Sequence, residues 1–321
     1  MTEILKEFEQ ARRILITGHI NPDGDCVGAG LALMLGLNKL NNKVAKEQQK
    51  VVRFVLQDNI PSTCNFLEHS FLIETYDNFQ SKYEFDLAII LDSGEFDRIG
   101  TIKNLIKEKT RVINIDHHVS NNSYGHINYI NVNMSSTSEM IFNILNELNI
   151  QIDKDMGEAL YVGLVNDTGN FSYTNVAKST FLMASKLIEL GVNNENIIRE
   201  FYSKKTMARM KLTGYALENF EFDEEKKLTY VYLPRAIIEK YHGKKEDTEG
   251  IVEALRGYID TEIALFIREE ADGKIKGSLR SNGYDVNSIA KHFGGGGHIK
   301  AAGFDSTLSH SEIILEVKSI I

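Results

Sequence analysis

The 321 residues are 42% hydrophobic and 25% charged, which excludes wholesale disorder, and at about 150 residues per domain the length predicts two domains. Two cysteines, Cys26 and Cys64, stand far apart in unlike contexts, against both a disulfide framework and a structural zinc site. Lys and Arg number 36 against 45 Asp and Glu; the net charge of −9 disfavours long duplex nucleic acid as a partner but leaves room for a few phosphates held by local cations.

The opening MTEILKEFEQARR mixes acids and bases without the apolar centre of a signal peptide, and no run reaches the roughly 18 apolar residues of a membrane helix. The expectation is a cytoplasmic protein with no membrane contact. Residues 13–17 (RILIT) read as a strand and 28–40 (GAGLALMLGLNKL) as a helix; 85–91 and 111–115 are further strands. Continuous rather than alternating apolar runs suit strands covered on both faces, so their alternation with helices predicts a doubly wound, mostly parallel α/β sheet. Residues 137–149, 154–166 and 178–190 carry apolar side chains at three- and four-residue steps and read as helices. The polar stretch 191–215 reads as a helical connector. Beyond it the pattern turns β-rich at 228–233, 262–268 and 274–281, then gives a helix near 285–292, a glycine run and a terminal helix from Ser309. This predicts a first domain over 1–190, a helical linker over 191–215 and a smaller α/β domain with a mixed sheet over 216–321.

Four places break this ordinary texture. His19-Ile20-Asn21-Pro22-Asp23-Gly24-Asp25 follows the first strand, Asp92-Ser93-Gly94 follows Leu91, Asp116-His117-His118 follows Ile115, and Asp167-Thr168-Gly169 ends the helix EALYVGLVN. Each has a plain reading by itself: a Pro-Asp-Gly turn, a helix cap, a surface loop, a glycine-terminated helix. Three of the four, however, follow the carboxyl ends of parallel strands, where open α/β sheets gather functional groups. With strands ~4.8 Å apart, His19, Asp23, Asp25, Asp92 and His117 fall into one small volume. That many carboxylates cannot share a dry crevice as bare anions, and divalent cations resolve the conflict. Oxygen donors with two imidazoles and no thiolate suit Mn²⁺, with Mg²⁺, Co²⁺, Fe²⁺ or Zn²⁺ admissible. Two ions about 3.5–4 Å apart, bridged by one carboxylate, would activate a water and clamp the oxygens of an in-line phosphoryl displacement.

The glycines Gly294, Gly295, Gly296 and Gly297, followed by His298, form a second signal. Successive glycine N–H groups are able to make a concave anion site, to which Arg280 and Ser281 would add a forked cation and a hydroxyl. No G-x-x-x-x-G-K-[ST] loop is present and no G-x-G-x-x-G follows the first strand, so ATP-driven or dinucleotide chemistry has no support. Ser136 with Glu139 reads as a capping box.

HINPDGDCVGA (19–29), LDSGEFDRIG (91–100), NIDHHVSNNSYG (114–125) and NDTGNF (166–171) resemble, in order, the signatures of the DHH phosphoesterase superfamily. GSLRSNGYDVNSIAKHFGGGGHIKAAG (277–303) resembles its DHHA1 type, and YINVNMSSTSEMI (129–141) with the chain length is similar to the stand-alone oligoribonuclease/pAp-phosphatase branch, the NrnA type. The resemblance implies that His19 and Asp23 hold one ion and Asp25, His117 and Asp167 the other, with Asp92 bridging. It implies that Asp116 orients His117, that His118 faces the scissile phosphate, and that Arg98 supports that region or serves as a plain helix start. Arg280, Ser281, residues Gly294 to Gly297 and His298 would hold the phosphate and sugar of the far nucleotide in a cleft opposite the metals. Ala29 and His126 depart from the family's frequent Ser and acid, and neither is an implied ligand.

The implied activity is metal-dependent hydrolysis of short RNA or DNA oligonucleotides to mononucleotides and removal of the 3′-phosphate of adenosine 3′,5′-bisphosphate (pAp), with a homodimer an admissible assembly. The alternatives are a phosphodiesterase for pApA or cyclic dinucleotides and, from another class, an inactive nucleotide-binding module. A family pyrophosphatase would lack the Gly-rich-His loop, and a long-strand exonuclease would carry extra nucleic-acid-binding segments.

Overall fold

The computed structural model describes residues 1–41, 44–80 and 83–321. Two compact units form, Met1–Lys204 and Lys205–Ile321. The first contains β1 (Arg13–Thr17), β2 (Val51–Leu56), β3 (Glu74–Thr75), β4 (Leu87–Leu91), β5 (Arg111–Asp116) and β6 (Ile127–Ile130) in one sheet of order β3-β2-β1-β4-β5-β6. Every pairing in it is parallel. The order reverses between β1 and β4, and that reversal opens a crevice at the carboxyl ends of the two strands.

The continuous apolar strands are explained by burial on both sides. Along β4, Ile89 and Leu91 join a core with Leu31, Ile141 and Leu160, whereas Ala88 and Ile90 join a second core with Phe85, Ile99 and Ile102. The first core lies under α1 (Thr2–Gln10), α2 (Gly24–Asn41), α3 (Thr137–Glu147), α4 (Lys154–Asp167) and α5 (Lys178–Glu189). Helix α2 begins at Gly24, within the acidic motif, because Asp23 Oδ1 accepts the backbone N–H groups of Asp25 (3.0 Å) and Cys26 (3.1 Å). The Pro-Asp-Gly turn is therefore a helix start that carries Asp25 on its first turn.

The predicted connector 191–215 consists of α6 (Asn194–Ile197), a π-helical turn over Ile198–Ser203, the division between the units, and the start of α7 (Met207–Glu218). The second unit holds β7 (Glu221–Asp223), β8 (Leu228–Leu233), β9 (Ile263–Glu269), β10 (Ile275–Ser281), β11 (Gly296–His298) and β12 (Ala301–Ser306), ordered β11-β12-β10-β9-β8-β7. Only β8 and β9 run parallel, so the sheet is mixed. On β9, Ile263, Leu265 and Ile267 pack towards α10 (Val286–His292) and α11 (His310–Ile320) through Ile289, Ile313 and Val317. Ala264 and Phe266 pack the other way, with Ile238 of α8 (Arg235–Lys240), Leu255 of α9 (Ile251–Arg256) and Leu212 of α7. Among the described residues no helix is long and apolar enough to cross a membrane.

Strands β2, β3, β6, β7, β11 and β12 and helices α1, α8 and α9 go beyond the elements expected from sequence. Edge strands of two to four residues, such as β3, β6 and β7, are too short for a periodic signal. β12 (AAGFDS) offers too little side-chain bulk to produce one.

Candidate metal centre

The loops after β1 and β4 bring His19 and Asp92 together across the sheet reversal. His19 Nε2 lies 3.5 Å from Asp92 Oδ2 and 3.9 Å from Asp23 Oδ1. The other oxygen of Asp92, Oδ1, lies 3.6 Å from Nε2 of His117, which follows β5. That same Nε2 is 2.8 Å from Asp167 Oδ2 at the end of α4. Three groups of ligand atoms result, each within 4.8 Å: His19, Asp23 and Asp92; Asp25, Asp92, His117 and Asp167; and Asp92, His117 and His118, whose Nδ1 lies 3.6 Å from Asp92 Oδ1. Asp92 belongs to all three.

The imidazoles are set for coordination by their outer nitrogens. His19 Nδ1 is 2.8 Å from the carbonyl of Ile20 and His117 Nδ1 is 3.3 Å from that of Met134. An Nδ1–H given to a carbonyl leaves the Nε2 lone pair facing the carboxylates. His117 Nε2 is buried and, despite its closeness to Asp167, has no hydrogen bond. Orphaned buried nitrogens are rare, and this one sits where a cation would be its partner. The donor set and the orphan therefore fit a pair of divalent ions.

Asp25 is fully buried, and its two oxygens accept the first N–H groups of α3: Oδ2 from Thr137 at 2.6 Å and Oδ1 from Ser138 at 2.8 Å. A helix amino end favours an anion at that place. The fit requires glycine at 163, since a Cβ there would stand 1.9 Å from Ser138 Oγ and 2.5 Å from Asp25 Oδ1. Asp92 adopts a left-handed backbone, φ 54°, in which its N–H donates to the Ile115 carbonyl (3.0 Å) and its Oδ1 accepts from Thr137 Oγ1 (3.1 Å). Such strain collects at functional positions.

Crowding sets the proton affinities. Burial, then the neighbouring Asp167 and Asp92, pushes the Asp25 carboxyl well above the usual carboxylate range. Asp167 is raised as well, by burial first and by Asp92 and Asp23, against the pull of His117. Burial acts against charging His19, but Asp23 and Asp92 overcome it and lift the imidazole to about 10. His117 likewise reaches about 10, with burial outweighed by Asp167, Asp25 and Asp92. Burial also acts upward on Asp23, yet contact with His19 and two backbone N–H groups holds it below its ordinary value. A cluster that grips protons this firmly grips cations for the same reason.

The ring held by Asp116 is that of His118, not His117. Asp116 Oδ1 is 2.7 Å from His118 Nδ1, accepts the His118 N–H at 3.3 Å and takes from His117 its backbone N–H alone, at 2.9 Å. Asp116 ends β5 and its carboxylate reaches the next turn rather than the His117 ring, whose Nδ1 is already taken by Met134. The contact with Asp116 raises His118 above its ordinary value. Behind Asp116, Asn121 Nδ2 donates to Asp116 Oδ2 (2.5 Å), to Asn114 Oδ1 (2.8 Å) and to the Ser93 carbonyl (3.3 Å). Tyr124 donates to that carbonyl as well, at 2.9 Å.

Arg98 is exposed, and its backbone carbonyl accepts the Ile20 N–H at 2.7 Å, bracing the loop that carries His19. In the second unit Arg280 lines a cavity of about 220 Å³ together with Lys245, Thr248, Glu253, Arg268 and Lys276. Its Nε donates to Glu253 Oε1 at 2.9 Å. Ser281 does not offer its hydroxyl to a ligand: it is buried and donates to the Tyr284 carbonyl at 2.5 Å. Nor is the glycine run one concave nest. Gly294 and Gly295 donate to the carbonyls of Lys291 (3.0 Å) and Ala290 (2.8 Å), which closes α10, and Gly296–His298 form the exposed edge strand β11. Glycine at 295 is forced by close approach, as a Cβ would lie 2.2 Å from the Gly303 carbonyl oxygen.

Sequence reasoning passed over Met134, Thr137, Ser138 and Asn121. The SSTSE segment hides its role behind a cap. Ser136 Oγ does accept the Glu139 N–H (3.1 Å), but the Glu139 carboxylate returns to Ser135, at 2.9 Å from its N–H, so the expected box is displaced by one residue.

Residues 13–164 match the DHH family, N-terminal domain, and residues 225–318 the DHHA1 domain. A Streptococcus mutans protein named probable bifunctional oligoribonuclease and PAP phosphatase NrnA is 29% identical over 99% of this chain and 98% of its own length. The Bacillus subtilis bifunctional oligoribonuclease and PAP phosphatase NrnA is 26% identical over 94% of the chain and 92% of its own. The crystal structure of an exopolyphosphatase-related protein from Bacteroides fragilis is 28% identical, with a TM-score of 0.90 over 99% of this chain and 94% of that one. A putative family II inorganic pyrophosphatase of Methanococcus jannaschii, 18% identical with a TM-score of 0.50, shares the fold. With both domains in order and the DHH motifs gathered at one sheet edge, this chain belongs to the DHH family and carries a DHHA1 domain behind its DHH domain.

Proposed function

We propose that this protein is a metal-dependent phosphohydrolase of the cytoplasm that degrades short oligoribonucleotides to mononucleotides and removes the 3′-phosphate of pAp. The observation that carries the reading is Asp92, whose two oxygens address His19 on one side and His117 on the other at 3.5 and 3.6 Å. The relatives named as bifunctional oligoribonuclease and PAP phosphatase support the substrate class.

In this reading His19 and Asp23 hold one Mn²⁺, Asp25, His117 and Asp167 hold a second, and Asp92 joins them. When bound, such a pair supplies charge neutralisation and a water activated for in-line attack on phosphorus. The chain's own residues do the rest. The α3 amino end keeps Asp25 aimed, and the two backbone carbonyls fix both imidazole tautomers. His118, held by Asp116, presents Nε2 to the phosphate. In the second unit, Arg280, for which its partner Glu253 must yield, and His298 are the groups assigned to binding substrate phosphate and sugar.

The test is hydrolysis by purified protein with Mn²⁺ of pAp, pApA, cyclic di-AMP and RNAs of two to five nucleotides. Mononucleotides from the short RNAs and AMP from pAp are expected. Turnover of cyclic di-AMP or pApA alone would replace the substrate assignment, and no turnover of any ester would end the proposal.

A further inference from the structure

Thr137 touches two of the carboxylates that the metal centre depends on. It is the first residue of α3 and wholly buried. Its backbone N–H donates to Asp25 Oδ2 at 2.6 Å and its hydroxyl donates to Asp92 Oδ1 at 3.1 Å. Asp92 Oδ1 is the oxygen turned towards His117, 3.6 Å away, and Asp25 lies in the same group as His117 and Asp167.

The hydroxyl is not needed to start the helix. Ser136 caps α3 through its own Oγ, which accepts the Glu139 N–H. Freed from capping, the Thr137 hydroxyl is given to the shared carboxylate. A carboxylate rotates readily about its last torsion, because that torsion is broad and roughly two-fold. A donor fixed by a rigid helix end and aimed at one oxygen selects a single rotation. The rotation selected here presents Oδ2 to His19 and Oδ1 to His117.

We propose that Thr137 is a positioning residue: its hydroxyl sets the bridging orientation of Asp92, and thereby the affinity of the Asp25–His117–Asp167 side for its cation. The inference rests on the two-cation reading above. Its backbone N–H, which any residue but proline supplies, continues to hold Asp25, so the side chain's effect is separable from the helix's.

Calorimetric titration of Mn²⁺ into metal-free protein tests this without an activity assay. The wild-type chain is expected to take up two equivalents. Thr137→Val, similar in shape but without the hydroxyl, keeps one and binds the second about 10- to 100-fold more weakly, the usual cost of losing a group that orients a metal ligand. Thr137→Ala gives the same loss where valine's second methyl crowds the site, and Thr137→Ser restores wild-type binding. Thermal melting of the metal-free variants remains that of the wild type. Uptake of both equivalents by Thr137→Val and Thr137→Ala as by wild type overturns the inference, and so does a Thr137→Ser protein as defective as Thr137→Val. Wild-type protein taking up fewer than two equivalents overturns the two-cation reading itself, a result told apart by the wild-type titration alone.

Discussion

His117 Nε2 stands 2.8 Å from Asp167 Oδ2 and forms no hydrogen bond with it. Asp92 Oδ1 lies 3.6 Å from the same Nε2, so three donor atoms converge there. Two ligands of one ion have this relation; a plain ion pair would align its proton.

Removing the shared carboxylate therefore disables both halves. Asp92→Asn or His117→Ala is expected to lower kcat more than about 100-fold, beyond the 10- to 100-fold typical of lost orienting groups. Steady-state kinetics with Mn²⁺ beside calorimetry checks this, and unchanged turnover in either variant removes the centre.

Without metal, stability should fall as pH rises. The His19 and His117 imidazoles are raised from 6.5 to about 10, so their contribution is complete below about 6.5 and lost as pH climbs through about 10. The raised carboxyls of Asp25 and Asp167 act in the same sense, since the folded form keeps protons that the unfolded chain releases. Asp23 and Asp116, both lowered, add stability above the ordinary carboxylate range that is lost on acidification. The expected outcome is a melting temperature that declines from pH 7 to 10 by about 2–4 °C for each kcal/mol lost, and a decline that saturating Mn²⁺ removes. Equal alkaline declines with and without the metal would count against the cluster.

Asp116 acts through His118. Replacing it by Asn withdraws the contact that raises the imidazole, so His118 loses its proton at lower pH. The alkaline limb of the kcat profile should move towards neutrality and kcat should drop about 10- to 100-fold, with KM little changed. A profile superimposable on the wild type would detach Asp116 from the reaction.

Arg280 is expected to act in binding. Arg280→Ala should raise KM for pAp about 10-fold or more, as befits a lost charge-assisted contact, and leave kcat nearly intact. Glu253→Gln, which releases the guanidinium from its 2.9 Å partner, should lower KM. A fall in kcat with KM unchanged for Arg280→Ala would move the residue out of the phosphate site.

Gly295→Ala places a methyl group 2.2 Å from the Gly303 oxygen and 2.6 Å from Phe304 Cβ. Overpacking of this kind costs about 1–3 kcal/mol. Urea unfolding should show that loss, whereas Gly294→Ala, with open space around its Cβ but φ 77°, should lose less.

The sequence by itself determined the parallel sheet and the gathering of carboxylates and imidazoles at its edge. Apolar runs such as LAIIL have no polar alternate position, so β4 had to be covered on both faces, and a chain reversing at such strands delivers whatever follows them to one edge. His19, Asp23, Asp92 and His117 follow strands or cap the helix next to them, so local pattern sufficed to bring them together; Asp25 and Asp167 joined them from helices. Tertiary structure alone decided which partner each group takes. Asp116 turned to His118, Met134 supplied the carbonyl for His117, and Thr137 reached Asp25 and Asp92 from a helix far along the chain. The glycine run, uniform in sequence, was divided between a helix end and an edge strand by the carbonyls that happened to face it. A hydrogen bond depends on direction across elements that are neighbours only in space, and no local spacing encodes that direction.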